Sequence, residues 1–206
     1  MANLLEGITW LGHSSFRIRA PEGVIYVDPL KLADGEEADL ILITHEHHDH
    51  FSLEDLKKIL GADTTIVTTA SVAAQLEGDT QVVKAGDTVT VKGVQIEAVP
   101  AYNPRKQFHP KPAGGVGFII TVGGRRIYHA GDTDLIPEMS NIKADVALLP
   151  AGGKYTMTAS EAAQAANMIK PAVAVPMHWG DFIGSRADAE AFRDQCQVPV
   201  EILEAE

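Results

Sequence analysis

Residues 38–50 read ADLILITHEHHDH and join a short apolar run to a cluster of histidines. The run at residues 40–43 is entirely aliphatic and has the length of a strand, so it predicts a strand that is buried on both faces. Four of the eight histidines in the chain lie in the six residues that begin at His45. Because loops at strand ends commonly hold functional residues on a rigid scaffold, this junction is expected to position a site.

The spacing within the cluster is typical of metal ligands. His45 and His47 are two residues apart at a strand end, so both can point to the same side and bind one ion. Asp49 and His50 lie at the start of the next predicted helix and can reach a second ion. Imidazole and carboxylate groups suit zinc and its first-row neighbours. The alternative is a polar surface loop that happens to be rich in histidine, but the buried strand directly before it favours a site.

The rest of the sequence indicates many short strands with a few helices between them. Strands are predicted at residues 7–11, 16–19, 24–28, 66–69, 116–122, 125–129, 145–150 and 172–176, and a pair of strands at 87–100 turns at Lys92-Gly93. Helices are predicted at about 52–60, 71–76, 158–170 and 187–196, with capping patterns at the start of the first and third. This order favours an α/β (α+β) sandwich of two mixed β-sheets with helices outside.

A weak internal repeat supports a design in two halves. Residues 38–42 read ADLIL and residues 144–148 read ADVAL, and a polar loop follows each segment. Five residues are too few to establish a duplication.

Composition limits the class of protein. The chain has 206 residues, 45% of them hydrophobic and 22% charged, which predicts one globular domain over residues 1–206. The net charge of −11 gives no broad electrostatic surface for nucleic acid. No apolar run approaches the length of a membrane span, and the N-terminus does not resemble a secretory signal. Cys196 alone cannot form an internal disulfide. We therefore expect a cytoplasmic protein, and the sequence gives no indication of its oligomeric state.

Residues 44–50, THEHHDH, resemble the signature of the metallo-β-lactamase superfamily. Later segments match in the order of that family: FHP at 108–110, YHAGDT at 128–133 and PMHW at 176–179. The segment LGHSSF at 11–16 and the short chain resemble a compact branch of metal-dependent hydrolases, similar to a sugar-phosphate lactonase of the ascorbate-6-phosphate type. The fold that this resemblance implies is a four-layer αββα sandwich, in agreement with the predicted strands.

The resemblance also implies a set of ligands for two divalent metal ions. Zinc is expected first, with manganese, iron or nickel as alternatives. Because His109 lies in a proline-rich loop, it could instead be a histidine on the substrate side or on the surface. The resemblance assigns seven ligands: His45, His47 and His109 to one ion, Asp49, His50 and His178 to the second, and Asp132 between them.

The expected chemistry follows from such a centre. Two metal ions lower the pKa of a shared water to near neutrality, which makes a hydroxide nucleophile, and they polarise the attacked carbonyl or phosphoryl oxygen. Asp49 would bind a metal ion and also orient the hydroxide. With His178, it is an expected catalytic residue. The predicted reaction is hydrolysis of an ester, lactone or phosphoester of a small molecule.

Four further residues are candidates for contact with the substrate: His13, Asn103, Arg105 and Lys154. For His13 the alternative is a strand histidine whose partners are backbone groups. Residues 98–131 contain no acidic residue and five basic ones, which could attract an anionic substrate. The same pattern also fits a solvated loop followed by a hairpin turn.

A second class of function is a metal-binding protein without hydrolytic turnover, in a regulatory or redox role. Diiron relatives of the superfamily carry glutamate in place of the second histidine of the signature. Residue 47 is histidine here, which disfavours the redox role. The sequence does not exclude a regulatory role.

Overall fold

The computed structural model describes residues 3–78 and 80–206, which form two six-stranded sheets with helices on their outer faces. The first sheet has the strand order β1-β2-β3-β4-β5-β6. Pairing is antiparallel from β1 to β3 and parallel from β3 to β6. Its strands are β1 (Ile8–Gly12), β2 (Ser15–Ala20), β3 (Gly23–Val27), β4 (Ala38–Ile43), β5 (Leu60–Thr68) and β6 (Thr80–Val82).

The second sheet is mixed as well and has the order β12-β11-β10-β9-β8-β7. Pairing is antiparallel from β7 to β10 and parallel from β10 to β12. The prediction of two mixed sheets is confirmed. The strands of this sheet are β7 (Thr88–Val91), β8 (Val94–Pro100), β9 (Val116–Val122), β10 (Arg125–His129), β11 (Val146–Pro150) and β12 (Val173–Met177).

Side chains cap the start of the first and third helices. Ser52 accepts a hydrogen bond from the backbone amide of Asp55, and Thr158 forms a reciprocal cap with Glu161, as the sequence predicts. The helices are α1 (Leu53–Ile59), α2 (Ala70–Ala73), α3 (Ala159–Ile169) and α4 (Arg186–Gln195), with short 3-10 turns at Lys111–Ala113 and Pro137–Asn141. None of the helices among the described residues combines the length and apolar character that crossing a membrane requires.

The strand before the histidine cluster has both faces buried, as predicted. Leu40 and Leu42 belong to the main core, which lies between the two sheets. Ile41 and Ile43 point to the other face and pack in a second cluster with Leu56 of α1. Each such aliphatic side chain stabilises the fold by roughly 1.5–3 kcal/mol. Helices therefore cover the outer faces of two sheets that pack on each other, which is the four-layer αββα sandwich.

The start of β5 and the presence of β6 differ most from the sequence prediction. β5 starts at Leu60, directly after α1, because Leu60 pairs with Ala38 and the Thr64 hydroxyl donates to the Ala38 carbonyl. Gly61 therefore lies inside an extended segment. The short edge strand β6 was not predicted, since three residues with little burial leave no periodic pattern.

Candidate metal centre

Loops at one end of the sandwich bring the predicted ligands together. The segment that begins at His45 follows β4, Asp132 lies shortly after β10, and His178 follows β12. His109 comes from the long loop at residues 101–115 between β8 and β9. His13 lies in the two-residue turn between β1 and β2, at the same end of the molecule.

The potential ligand atoms fall into groups in which all atoms lie within 4.8 Å of one another. Asp132 connects the groups, because its Oδ1 lies 3.1 Å from His50 Nε2, and its Oδ2 lies 3.1 Å from Nε2 of both His109 and His178. The structure therefore brings all seven predicted ligands together, with Asp132 between two sets. One set is His45, His47 and His109, a second is His13, Asp49, His50 and His178, and a third is His45, His50 and Asp132.

The donor atoms fit a metal ion. Within residues 3–78 and 80–206, the buried Nε2 atoms of His45, His50 and His178 and Oδ1 of Asp132 make no hydrogen bond. The 3.1 Å contacts of His50 and His178 with Asp132 lack the geometry of a hydrogen bond. Leaving buried polar atoms unpaired is costly, so several at one point indicate a partner other than protein. Three imidazoles in one set and mixed imidazole and carboxylate in the other are ligands typical of zinc and its first-row neighbours.

Electrostatics prepare several of these groups for a cation. Burial, with a smaller effect from His50, holds the pKa of His45 well below its usual range, which favours the neutral imidazole that binds metals. Burial alone would raise the pKa of Asp132, but nearby His178 and His50 hold it well below the usual range. Burial disfavours the charged form of His50, yet Asp132 and Asp28 raise its pKa well above the usual value.

Asp28 is a functional residue that the sequence analysis missed. Its Oδ2 lies 2.7 Å from Nδ1 of His50 and accepts a hydrogen bond of 2.7 Å from the Thr44 hydroxyl. Its Oδ1 accepts a hydrogen bond of 2.8 Å from the Thr44 backbone amide. A carboxylate on the distal nitrogen of a ligating histidine fixes the orientation of the ring and raises its basicity. The signal in the sequence was one aspartate between the apolar end of β3 and Pro29.

Two other polar residues orient the loops. Thr44 Oγ1 lies 2.9 Å from His45 Nδ1, which fixes the ring of that ligand. The buried side chain of His129 has Nε2 2.8 Å from the Ser14 carbonyl, and its Nδ1 accepts a hydrogen bond of 3.3 Å from the amide of Gly131. His129 thus connects the β1–β2 turn to the loop of Asp132.

The backbone is strained at three of these positions. His13, Asp28 and His178 have φ angles of 49°, 46° and 57°, in the left-handed region that side chains other than glycine rarely adopt. The amide of His178 donates to the His13 carbonyl at 2.8 Å, which fixes the two strained residues to each other. Such strain persists only where the surroundings enforce it, and it concentrates at functional sites.

The predicted substrate residues have different positions. His13 has Nε2 3.2 Å from Oδ2 of Asp49, so it lies in the metal centre itself. The side-chain amide of Asn103 donates to the Tyr155 carbonyl, and its Oδ1 accepts a hydrogen bond from the backbone amide of His109. Asn103 therefore fixes the loop that carries His109. Arg105 lines a separate surface cleft with Asp134, Leu135 and Glu161. Lys154 has its ammonium 5.0 Å from the centre of the Tyr155 ring.

A cavity of about 410 Å³ opens over the metal centre. Asp49 and Asp132 lie at its base among the ligands, and His48, which belongs to none of the ligand groups, is on its wall. Three aromatic residues from other loops complete the lining: Phe108, Tyr155 and Phe182. The volume is in the range of pockets that bind small molecules.

Known proteins resemble this chain in sequence. The chain matches the beta-lactamase superfamily domain over residues 7–178. A UPF0173 metal-dependent hydrolase from Methanopyrus kandleri is 35% identical, with 96% of each chain covered. Another from Thermoplasma acidophilum is 38% identical and covers 90% of this chain and 88% of its own.

Solved structures agree with the fold. A candidate metal-dependent hydrolase from Parabacteroides distasonis has a TM-score of 0.87 and 37% identity, with 97% of this chain and 93% of its own covered. A metallo hydrolase from Ignicoccus hospitalis has a TM-score of 0.79 and 26% identity, with coverage of 96% and 94%. The match over most of the chain and the relatives above 30% identity lead to one conclusion: the chain belongs to the metallo-β-lactamase superfamily, as one of its metal-dependent hydrolases.

Proposed function

We propose that this hydrolase works with two divalent metal ions, zinc in the first instance, and cleaves an ester, lactone or phosphoester of a small molecule in the cytoplasm. The observation that carries the proposal is the pair of ligand groups that meet at Asp132. When bound, the ions would supply Lewis acidity and a water that ionises near neutral pH.

The protein residues would divide the remaining work. His45, His47 and His109 would hold one ion, and Asp49, His50 and His178 the other, with Asp132 between them. Asp49 lines the cavity, and its Oδ2 lies 3.2 Å from His13 Nε2. Its carboxylate would accept a hydrogen bond from the attacking water and fix the direction of attack.

The alternative is a metal-binding protein without turnover. The open cavity above the ligands favours an enzyme, because a purely structural metal site has its coordination closed by protein. A histidine at position 47 also differs from the glutamate that redox relatives carry there.

The proposal is tested by metal content and turnover together. Untagged protein, purified without chelator, should contain about two divalent ions per chain by elemental analysis. Zinc-loaded protein should hydrolyse members of a panel of aryl esters, lactones and phosphodiesters. Asp49→Ala should lower kcat by about 100-fold or more, since it removes the group that orients the nucleophile.

A matched control separates the fall of kcat in Asp49→Ala from the general effect of removing a carboxylate. Asp194→Ala removes an exposed acid at the end of α4 and should leave kcat unchanged. A chain that binds no metal even after reconstitution would contradict the proposal of a metal centre. Two bound ions without turnover on the whole panel would favour the binding protein instead.

A further inference from the structure

Large apolar side chains are exposed at the mouth of the cavity. Phe108 and Phe182 are 44% and 43% exposed, which places them among the few large hydrophobic residues at the surface of the described chain. Both line the cavity over the metal centre. Exposed aromatic residues around a concave site are typical of contact with a ligand.

These aromatic residues are fixed relative to the metal ligands. Phe108 directly precedes the ligand His109, and its ring meets the edge of Tyr155 with 4.7 Å between centroids. The centroid of the Phe182 ring lies 5.0 Å from that of the His13 ring and 5.9 Å from that of the His48 ring. Three separate loops therefore place aromatic surface around the point where a substrate would approach the metal ions.

The basic residues near the cavity are engaged by the protein. Lys106 lies 2.6 Å from Asp134 and also donates to the Thr156 carbonyl. Lys31 lies 2.7 Å from Asp181. Among the described residues, no lysine or arginine lines the cavity itself. Lys154, over the face of Tyr155, and Lys31, over the face of Phe182, are the cations that an anionic substrate could meet at the mouth.

Of the other basic residues in the acid-free segment at residues 98–131, Arg105 lines a separate cleft, and three contact other groups of the protein. Lys111 lies 2.9 Å from Glu138. Arg125 donates to the carbonyls of Leu4 and Glu6, and Arg126 lies 2.6 Å from Glu97. Arg125 and Arg126 begin β10, whose other end leads to Asp132, so they lie at the end of the sheet away from the metal centre.

We infer that the cavity accepts an uncharged apolar or aryl group, as the part of the substrate that lies beyond the bond to be cleaved. This inference rests on the proposed function. The metal ligands would hold the reacting carbonyl or phosphoryl group, while Phe108, Tyr155 and Phe182 would cover the apolar remainder. The substrate class is therefore an ester, lactone or phosphoester with an aryl or similar apolar substituent.

Three hydroxamates provide a test that does not require turnover. Each binds metal ions through the same two oxygens, and they differ only in the tail: acetohydroxamate, benzohydroxamate and 4-carboxybenzohydroxamate. Calorimetry on zinc-loaded protein should give benzohydroxamate a dissociation constant about tenfold below that of acetohydroxamate, because the ring buries apolar surface. The carboxylated probe should lose this advantage.

Variants connect the preference to the aromatic residues. Phe182→Ala and Phe108→Ala should reduce the preference for the ring to about threefold or less, while acetohydroxamate binds as before. Met168→Ala removes an exposed apolar side chain from α3 and should leave the preference unchanged. Circular dichroism and zinc content would verify that each variant is folded and loaded.

Several outcomes would overturn the inference. Equal affinity of the protein for the three probes would overturn it. Failure of all three probes to bind zinc-loaded protein would also overturn it. Tighter binding of the carboxylated probe that disappears in Lys154→Ala would indicate an anionic substrate instead. Retained preference for the ring in a protein without turnover would refute hydrolysis but leave the apolar pocket intact, so the two proposals fail separately.

Discussion

The first and second halves of the molecule are built on the same frame. Strands β1 to β5 and strands β8 to β12 show the same succession of pairings, two antiparallel and then two parallel. The register also agrees, because Ile25 pairs with Leu40 in the first half and Ile127 pairs with Val146 in the second. The halves therefore correspond strand for strand in their pairing.

The weak repeat in the sequence is part of this frame. Asp39 accepts a hydrogen bond of 2.8 Å from the amide of Val24, and Asp145 accepts one of 2.8 Å from the amide of Arg126. The two aspartates hold the same point on the preceding strand. The ADLIL and ADVAL segments thus have equivalent structural roles.

The halves differ in what their loops do. The turn between the first two strands spans residues 13–14 in one half and 101–115 in the other, and each contributes a histidine to the centre. After the third strand of the first half, Asp28 contacts Nδ1 of His50 and fixes the orientation of that ring. The equivalent residue of the second half, Ala130, follows β10 and precedes Asp132 by two positions. The strands thus determine where a side chain can lie, and the loops determine whether it reaches the metal centre.

The largest expected effect is at Asp28, the carboxylate that the second half lacks at this place. Asp28→Ala leaves the amide and hydroxyl of Thr44 and Nδ1 of His50 without their buried acceptor. We expect the free energy of unfolding of metal-free protein to fall by about 3–5 kcal/mol. Urea denaturation in the presence of a chelator measures it.

Thr44→Val is the control for this prediction. It removes the hydroxyl contacts with Asp28 and His45, and it keeps the backbone bond to Asp28 and the contact between Asp28 and His50. The loss should be about 1 kcal/mol. If Asp28→Ala cost no more than Thr44→Val, Asp28 would not support the centre.

The second prediction compares the histidines of the two equivalent turns. His109 belongs to the group of His45 and His47, and His13 belongs to the group of Asp49, as its counterpart in the other half. In the proposed two-ion centre, His13→Ala should weaken the binding of the ion at Asp49 by about 10–100-fold, since Asp49 loses its partner. His109→Ala should weaken the other ion at least as much.

Cobalt titration followed by visible absorption measures both affinities without turnover. His13→Gln should recover part of the loss, because an amide can still donate to Asp49. Two unchanged binding steps in His13→Ala would show that the turn of the first half is only structural.

The sequence predicted the frame better than the contacts between loops. The aliphatic run before His45 and the capping residues of α1 and α3 are local signals, and the structure agrees with them. Asp28 and Asn103 act on residues that are remote in sequence or in loops of irregular geometry, so no periodic pattern indicated their roles. The grouping of the ligands came from the family resemblance, since spacing alone does not predict which loops meet.

The smallest effect concerns the helix that follows the fourth strand in each half, α1 or α3. The carboxylate of Glu161 accepts a hydrogen bond from the backbone amide of Thr158, the N-cap residue of the same helix. Asp55, at the same place in α1, instead accepts from the amides of Lys31 and Leu32 and so holds the loop beyond Asp28. Asp55→Asn should therefore cost roughly 1–2 kcal/mol of unfolding free energy at pH 7, and Glu161→Gln about 0.5.

The pH dependence of the difference in unfolding free energy between wild type and Asp55→Asn shows whether the ionised carboxylate causes that difference. Burial opposes the charge of Asp55, but hydrogen bonds with Lys58 and Ser52 and from the two backbone amides lower its pKa overall. A pKa that is lower in the folded state stabilises the protein above the usual carboxyl pKa, and this stability is lost as the pH falls toward the folded value. The difference between wild type and Asp55→Asn should thus be full at pH 7 and shrink below about pH 4. A difference that stayed constant down to pH 3 would mean that the geometry of the amide, and not the charge, destabilises the variant.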